Sequence, residues 1–327
     1  MRVELTEDPT AFVALDWTDL VEADPSGSFF HTPAYLKLWW EEFGSGRLLL
    51  ARVLNGAQPV AACALEVLGD TLVFLGGFDV TDYLGPVGLP GAEEAAAKEL
   101  VGALLADGGW VRADLRGLPE DSRWLGALEE ALRGHGLGVE RTDDVNGVAP
   151  YLLLPGSFEE YLAAIPGKLR HEIRRKRRRL AQEAGEYRVR FADPATLSAD
   201  LDRFVELHRA SPGPKGKFMH AGMEIFFRRL GEAFQPPHVF HLAFLEVGGR
   251  AAAGAIGFGF KRSFSLYNSA FDREFAHLSP GMVLVSELIR LAIEAGREVF
   301  DLLKGDLEYK YRFGARPRRV LRLVVSR

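Results

Sequence analysis

The sequence predicts an α/β (α+β) protein of two tandem domains, each a mixed, mostly antiparallel sheet flanked by helices. Two observations carry that reading. One order of elements occurs twice along the chain, and the charge balance changes sign at its middle. The 327 residues suffice for two domains of ordinary size. Residues 1–150 hold ten Lys and Arg against 25 Asp and Glu, a balance of −15. Residues 151–327 hold thirty against twenty, a balance of +10. The expected domains are therefore 1–150, acidic and non-catalytic, and 151–327, basic, catalytic and facing an anion. The boundary falls within 145–155, and the last strand, 319–326, can pair back onto the first domain.

The elements follow in order. Thr32-Pro33 starts an aromatic helix that runs to Phe43, with Thr as N-cap and Pro at the first helical position. Apolar runs 48–54 and 59–65 flank Asn55-Gly56, a hairpin signal because both residues tolerate positive φ. A third strand at 71–75 leads to Phe78-Asp79 and Gly85-Pro86. An amphipathic helix over 91–106 precedes a strand at 111–115 that ends in Asp114-Leu115.

The second half repeats this order. Helices at 196–210 and 221–233 precede apolar runs 241–247 and 251–260, which flank Gly248-Gly249. A third strand at 263–269 leads to Phe271-Asp272 and Ser279-Pro280-Gly281. A helix over 282–295 precedes a strand ending in Asp301-Leu302. A dinucleotide fold would need alternating βαβ units and a glycine-rich first turn, and the chain has neither.

Composition excludes several classes. The single cysteine, Cys63, rules out an internal disulfide and fits a reducing compartment. The first residues form no signal sequence, and no apolar stretch could span a bilayer, so the expected location is cytoplasmic without a membrane span. His238 and His241 fall on opposite faces of a strand, no zinc spacing occurs, and no metal is expected. No G-x-S-x-G elbow is present.

In this order the chain resembles the GNAT N-acyltransferase fold, duplicated as in the FemAB-like acyltransferases, and within these the CelD-like acetyltransferase branch. The resembling residues in the first half are Phe29-Phe30-His31-Thr32-Pro33-Ala34-Tyr35 and Asp82-Tyr83-Leu84-Gly85-Pro86. In the second half they are Tyr267-Asn268-Ser269-Ala270-Phe271-Asp272, Ser279-Pro280-Gly281, and Gly305-Asp306 followed by Tyr309-Lys310. The basic stretch 170–180 also resembles the family. The resemblance implies an N-acyltransferase that moves an acyl group from acyl-CoA (acetyl-CoA) to an amine on a small molecule or a peptide. Two alternatives stay open. One is a tRNA-dependent aminoacyltransferase acting on a peptidoglycan precursor. The other is a non-enzymatic binder of an anionic polymer on a degenerate acyltransferase fold. The sequence also departs from the family: acetyl-CoA-using members have spaced glycines where this chain reads His277-Leu278-Ser279-Pro280-Gly281-Met282.

Candidate site residues follow. The family's oxyanion-stabilising lysine, set among aromatic residues, maps by resemblance onto Lys310 of Tyr309-Lys310-Tyr311-Arg312-Phe313-Gly314. Asp301, Lys304 and Asp306 lie at a strand end, where an α/β protein tends to place its chemistry. They converge only if the chain turns near Gly305, and Asp306 either accepts a proton or caps the next helix. Ser279 and Gly281 open a helix whose free N–H groups suit a phosphate or carbonyl oxygen. Of Tyr267 and Asn268, neighbours on a strand, one must face the cleft. Tyr309, Tyr35, Trp39 and Tyr83 are further substrate-binding candidates, with core packing as the plainer role of the first-half rings. The cleft is expected between the domains and lined by the second. Arg174, Arg175 and Arg178 represent a run of eight basic residues over 168–179, on a helix docked by Leu169, Ile173, Leu180 and Ala184. That density suits an anionic partner such as tRNA or CoA phosphates.

Overall fold

The computed structural model describes every residue except Phe78, Pro236, Pro237 and Arg327, so the first Phe-Asp pair lies partly outside the described residues. Two units result: residues 1–149 with 318–327, and residues 150–317.

In the first unit β1 (Arg2–Thr6) is followed by the short helices α1 (Ala11–Ala14) and α2 (Thr18–Ala23). Helix α3 (Pro33–Phe43) begins as the sequence predicts, with the Thr32 hydroxyl accepting the Tyr35 N–H and Pro33 at the first position. Strands β2 (Arg47–Asn55), β3 (Gln58–Leu68), β4 (Thr71–Phe74) and the two-residue β5 (Val87–Gly88) lead to α4 (Glu93–Asp107). Then come β6 (Arg112–Pro119), α5 (Arg123–Gly134) and β7 (Gly138–Val148). The first hairpin turns on Gly56-Ala57 rather than Asn55-Gly56. Asn55 still pairs with Gln58, and only Gly56, at φ 63°, takes the left-handed conformation.

The second unit opens with β8 (Tyr151–Leu153), α6 (Phe158–Ala164) and the 18-residue α7 (Gly167–Ala184). Next are β9 (Tyr187–Phe191), α8 (Leu197–Arg209), α9 (Pro214–Phe218) and α10 (Ala221–Phe234). Strands β10 (Phe240–Val247), β11 (Arg250–Phe260) and β12 (Ser263–Phe271) form a meander. The β10–β11 turn uses Gly248 and Gly249 at φ 55° and 76°, a conformation glycine adopts without strain. Helix α11 (Pro280–Glu294), β13 (Val299–Asp301) and α12 (Glu308–Tyr311) complete the unit.

The chain then returns to the first unit. Strand β14 (Arg319–Ser326) inserts between β6 and β7, antiparallel to both. Residues 318–326 therefore group with the first unit, the return of the last strand that the sequence allowed. The first sheet runs β1-β2-β3-β4-β6-β14-β7, with β5 beside β3, and the second runs β8-β13-β12-β11-β10-β9. Each sheet is antiparallel except for one parallel pair, β4–β6 in the first and β12–β13 in the second. Each unit has its own core. Leu65, Ala97, Leu100 and Leu323 are among the residues of the first, and Leu245, Ala253, Leu284, Ile289 and Phe300 of the second. The charged candidates therefore sit on or beside well-packed scaffolds.

Candidate functional site

The second sheet is interrupted at one place. Strand β12 pairs with β13 at Ser263, Phe264 and Ser265 opposite Val299, Phe300 and Asp301. Among the described residues the pairing stops there, while β12 continues to Phe271. Its far half keeps β11 on one side and has no strand on the other. A strand presents a row of N–H and C=O groups wherever a neighbour is missing, and here one of them, the Ser269 N–H, is taken by the Asn268 side chain.

A bulge sits at the same point. Ile256 pairs with Asn268 and Gly257 with Leu266, so Tyr267 is the extra residue of a bulge. Alternation in a regular strand would send Tyr267 and Asn268 to opposite faces. The bulge instead turns both toward the layer formed by α8 and α10. The Tyr267 ring meets Phe227 of α10 edge-on at 5.5 Å. The Asn268 Oδ1 lies 3.0 Å from His208 Nε2 of α8. Both side chains thus reach the same helical layer, where regular alternation would have sent only one.

The hydrogen bonds fix the amide of Asn268. Its Oδ1 also accepts the Ser269 N–H at 2.9 Å, so the oxygen takes two donors and His208 Nε2 must carry its proton. Among the described residues Asn268 Nδ2 makes no hydrogen bond, and it remains a donor for an incoming oxygen. His208 is fully buried, and its Nδ1 has no partner. Burial, then the charge of Lys215, pushes its pKa down to about 4, so the ring is neutral near pH 7. The sequence reading missed His208. Its signal was legible: Leu197, Leu201, Phe204, Val205 and His208 share the apolar stripe of α8.

Helix α11 begins after a 3₁₀ turn over Arg273–Leu278. Ser279 is left-handed, at φ 55°, and its side chain caps nothing. Its carbonyl accepts the N–H groups of Met282 and Val283, so the start of the helix offers mainly the Gly281 N–H. The expected ring of free N–H groups reduces to this one.

The turn after β13 differs from expectation in two ways. The chain reverses at Leu303, φ 59°, before Gly305, φ 109°. The buried Asp301 carboxylate accepts the Leu303 N–H at 2.7 Å, which stabilises the bend. Lys310 is 3% exposed, and its Nζ donates to the carbonyls of Leu303 (2.7 Å) and Lys304 (2.8 Å). Its charge thus braces the turn from within. Asp306 caps no helix; its Oδ1 accepts the Tyr311 hydroxyl at 2.6 Å, and Leu307 is the uncapped N-terminal residue of α12. Tyr309 is exposed and Lys304 half-buried beside this turn.

The first-unit candidates are packing residues. Tyr35, 1% exposed, bonds Thr81 Oγ1 at 2.9 Å, and burial pushes its phenol well above the ordinary value. The Trp39 ring closes over Gly77 in the same core. Tyr83 is buried under the Arg318 guanidinium, which stacks 4.9 Å from its ring centre and bonds its hydroxyl. Substrate contact for these rings is therefore withdrawn.

The basic helix forms as expected. Ile173 and Leu180 are buried in the core, with Leu169 and Ala184 packed against it. Arg177 pairs with the buried Glu287 of α11, and α7 also touches the 3₁₀ turn ahead of α11. Arg174, Arg175 and Arg178 are exposed. Arg174 pairs with Glu159, and Arg175 acts electrostatically on Glu172.

The sequence model of the acetyltransferase (GNAT) domain matches residues 167–311. No curated protein matches the chain in sequence. Among solved structures, FemX superposes with a TM-score of 0.68 at 11% identity, over 98% of this chain and 97% of its own. The C-terminal domain of a putative lysylphosphatidylglycerol synthetase from Agrobacterium fabrum gives 0.61 at 15% identity, over 98% and 92%. A tandem GNAT protein from the clavulanic acid biosynthesis pathway gives 0.50 at 10%, over 99% and 98%. At these identities the likeness is one of fold. Among the described residues no helix is long and apolar enough to cross a membrane. Residues 167–311 thus match a GNAT acetyltransferase domain, and the chain as a whole has a fold similar to that of FemX and of a tandem GNAT protein.

Proposed function

We propose that the protein is an N-acyltransferase that moves an acyl group from an acyl-CoA thioester to an amine, using the second unit. The observation that carries this reading is the parting of β12 from β13 just before the bulge at Tyr267 and Asn268. An extended donor arm can add to the free edge of β12 through backbone hydrogen bonds. Its carbonyl oxygen then meets Asn268 Nδ2, whose direction is set by the two donors already on Oδ1. As the amine attacks, negative charge grows on that oxygen, and a donor held in place stabilises it without reorganising. Asp301 and Lys310 hold the turn that lines the other side of the opening. Lys310 acts by position rather than as the oxyanion donor implied by resemblance. The anionic end of the donor falls to the Gly281 N–H and to the exposed arginines of α7, which packs beside α11.

Aminoacyl transfer from a charged tRNA is the second reading, favoured by the exposed Arg174, Arg175 and Arg178. Both use the same opening. The test is release of free thiol from acetyl-CoA in the presence of a panel of amines, run beside transfer of radiolabel from charged tRNA. Thiol release dependent on amine and on Asn268 supports the first reading. Label transfer alone supports the second, and inactivity with both donors overturns the enzyme assignment.

A further inference from the structure

The second unit holds a cavity of about 510 Å³ away from the opening described above, beside the C-terminal half of α11. That volume lies in the range of small-molecule sites. Its walls are apolar, with Phe191, Phe240, Phe264, Leu288, Leu291 and Ala292 among them. Five polar residues break this lining: the exposed Asp193 and His238, and Arg297, Gln235 and His241. Arg297 donates Nη1 to the Lys261 carbonyl at 2.6 Å and has no carboxylate partner among the described residues. Gln235 is 7% exposed; its Nε2 bonds the Ala192 carbonyl, so its Oε1 is the other end of the amide, and that buried oxygen accepts nothing. The Nε2 of His241 is buried and equally without a partner. Unpaired buried polar atoms are costly, and natural interiors rarely leave two in one cavity without a use for them.

Their placement specifies a ligand. A Cβ built on Gly259 would lie 2.8 Å from Arg297 Nη2 and 2.9 Å from His241 Nε2, so the two nitrogens converge on one point kept clear by the glycine. Beside a guanidinium the imidazole favours the tautomer with a lone pair on Nε2, because an N–H there would face like charge. The cavity therefore offers a cation, an acceptor next to it, a second acceptor at Gln235, and apolar walls. Asp193 also lines the cavity; its Oδ1 accepts the N–H groups of Ala195 and Thr196, and its Oδ2 is left to face solvent or an α-ammonium group.

We propose that this cavity binds a small carboxylic acid with a hydrogen-bond donor on its α-carbon and an apolar side chain, the chemistry shared by apolar α-amino and α-hydroxy acids. The carboxylate pairs with Arg297, the α-donor with His241 Nε2 and Gln235 Oε1, and the side chain lies among Phe240, Phe264 and Leu288. The site is separate from the acyl-transfer opening and holds whether or not that reading does.

The test is calorimetric titration of the whole protein with L-leucine and, separately, with 2-hydroxy-4-methylpentanoate. Controls are leucinamide, which lacks the carboxylate, and 4-methylpentanoate, which lacks the donor. One or both of the first pair should bind saturably at millimolar concentrations or below, and each control should bind at least about tenfold more weakly, the scale for leaving a buried polar group unpaired. Arg297→Gln and Gly259→Ala, each shown to be folded by an unchanged melting transition, should weaken binding by a similar factor. Absence of saturable binding to the wild type overturns the proposal. So does equal binding of either control, or undiminished binding to both folded variants.

Discussion

The two units share one order of elements and differ where the parallel strand pair ends. In the first, β4 stops at Phe74, one residue after its pairing with β6 ends at Val73. Its partner β6 continues to Pro119, and β14 pairs with it as far as that residue. In the second, β12 runs six residues past its last pairing with β13, carries a bulge, and leaves an edge open. The aromatic residues after β4 fill a core, with Tyr83 closed under Arg318. The turn after β13 is instead braced by the carboxylate of Asp301 and the buried ammonium of Lys310. In the proposed function the site follows from where strand pairing stops, which is where the two units differ.

The largest effect that would break this comparison is on turnover. Asn268→Ala should lower acyl transfer by about 10²-fold or more, the scale for losing one oxyanion donor, while leaving the buried His208 N–H without its acceptor should cost about 1–3 kcal/mol of stability. Tyr83→Phe in the first unit should leave turnover unchanged. Loss of activity in the Tyr83 variant at unchanged stability would reverse the assignment of units.

Lys310→Met sharpens the same point through stability. It leaves the Leu303 and Lys304 carbonyls without their buried donor, which should cost about 1–3 kcal/mol for each group left unsatisfied, read from denaturant unfolding. A variant of wild-type stability that has lost only turnover would return Lys310 to the oxyanion role.

A third effect is on pH dependence. Burial leads the causes that hold both His208 and His241 at about 4 in the fold, against an ordinary value near 6.5. The unfolded chain binds more protons between these values, so stability should be full above about pH 6.5 and fall as pH drops toward 4. Unfolding free energy measured against pH checks this, and His208→Gln should flatten part of the slope. A slope unchanged by that variant would place the titration elsewhere. The smallest effect is expected for Arg175→Glu with Arg178→Glu. Both side chains are exposed, so stability should hold while donor binding weakens and loses part of its salt dependence.

Much of this architecture was legible in the sequence. The glycine hairpins, the amphipathic helices and the order of strands rest on local patterns, and helices α3, α8 and α10 begin within one residue of their sequence signals. Pairing of β14 with β6 joins residues some two hundred positions apart; the apolar run at 319–326 allowed it without specifying its neighbours. Strand β9 and helix α5 went unread. The bulge at Tyr267 was hidden because alternation assumes a regular strand, and only the pairing with β11 reveals the extra residue. The surroundings of Lys310 were only half legible: its aromatic neighbours suggested shelter from water but could not show two backbone carbonyls in reach.

The central claim is that the donor binds along the open edge of β12. Amide hydrogen exchange tests it most directly, measured with and without acetyl-CoA and, in parallel, with charged tRNA. The account predicts slowed exchange over residues 266–271 and at Gly281 with at least one donor, and none over residues 71–74. Protection confined to the first unit, or no protection by either donor, would contradict it.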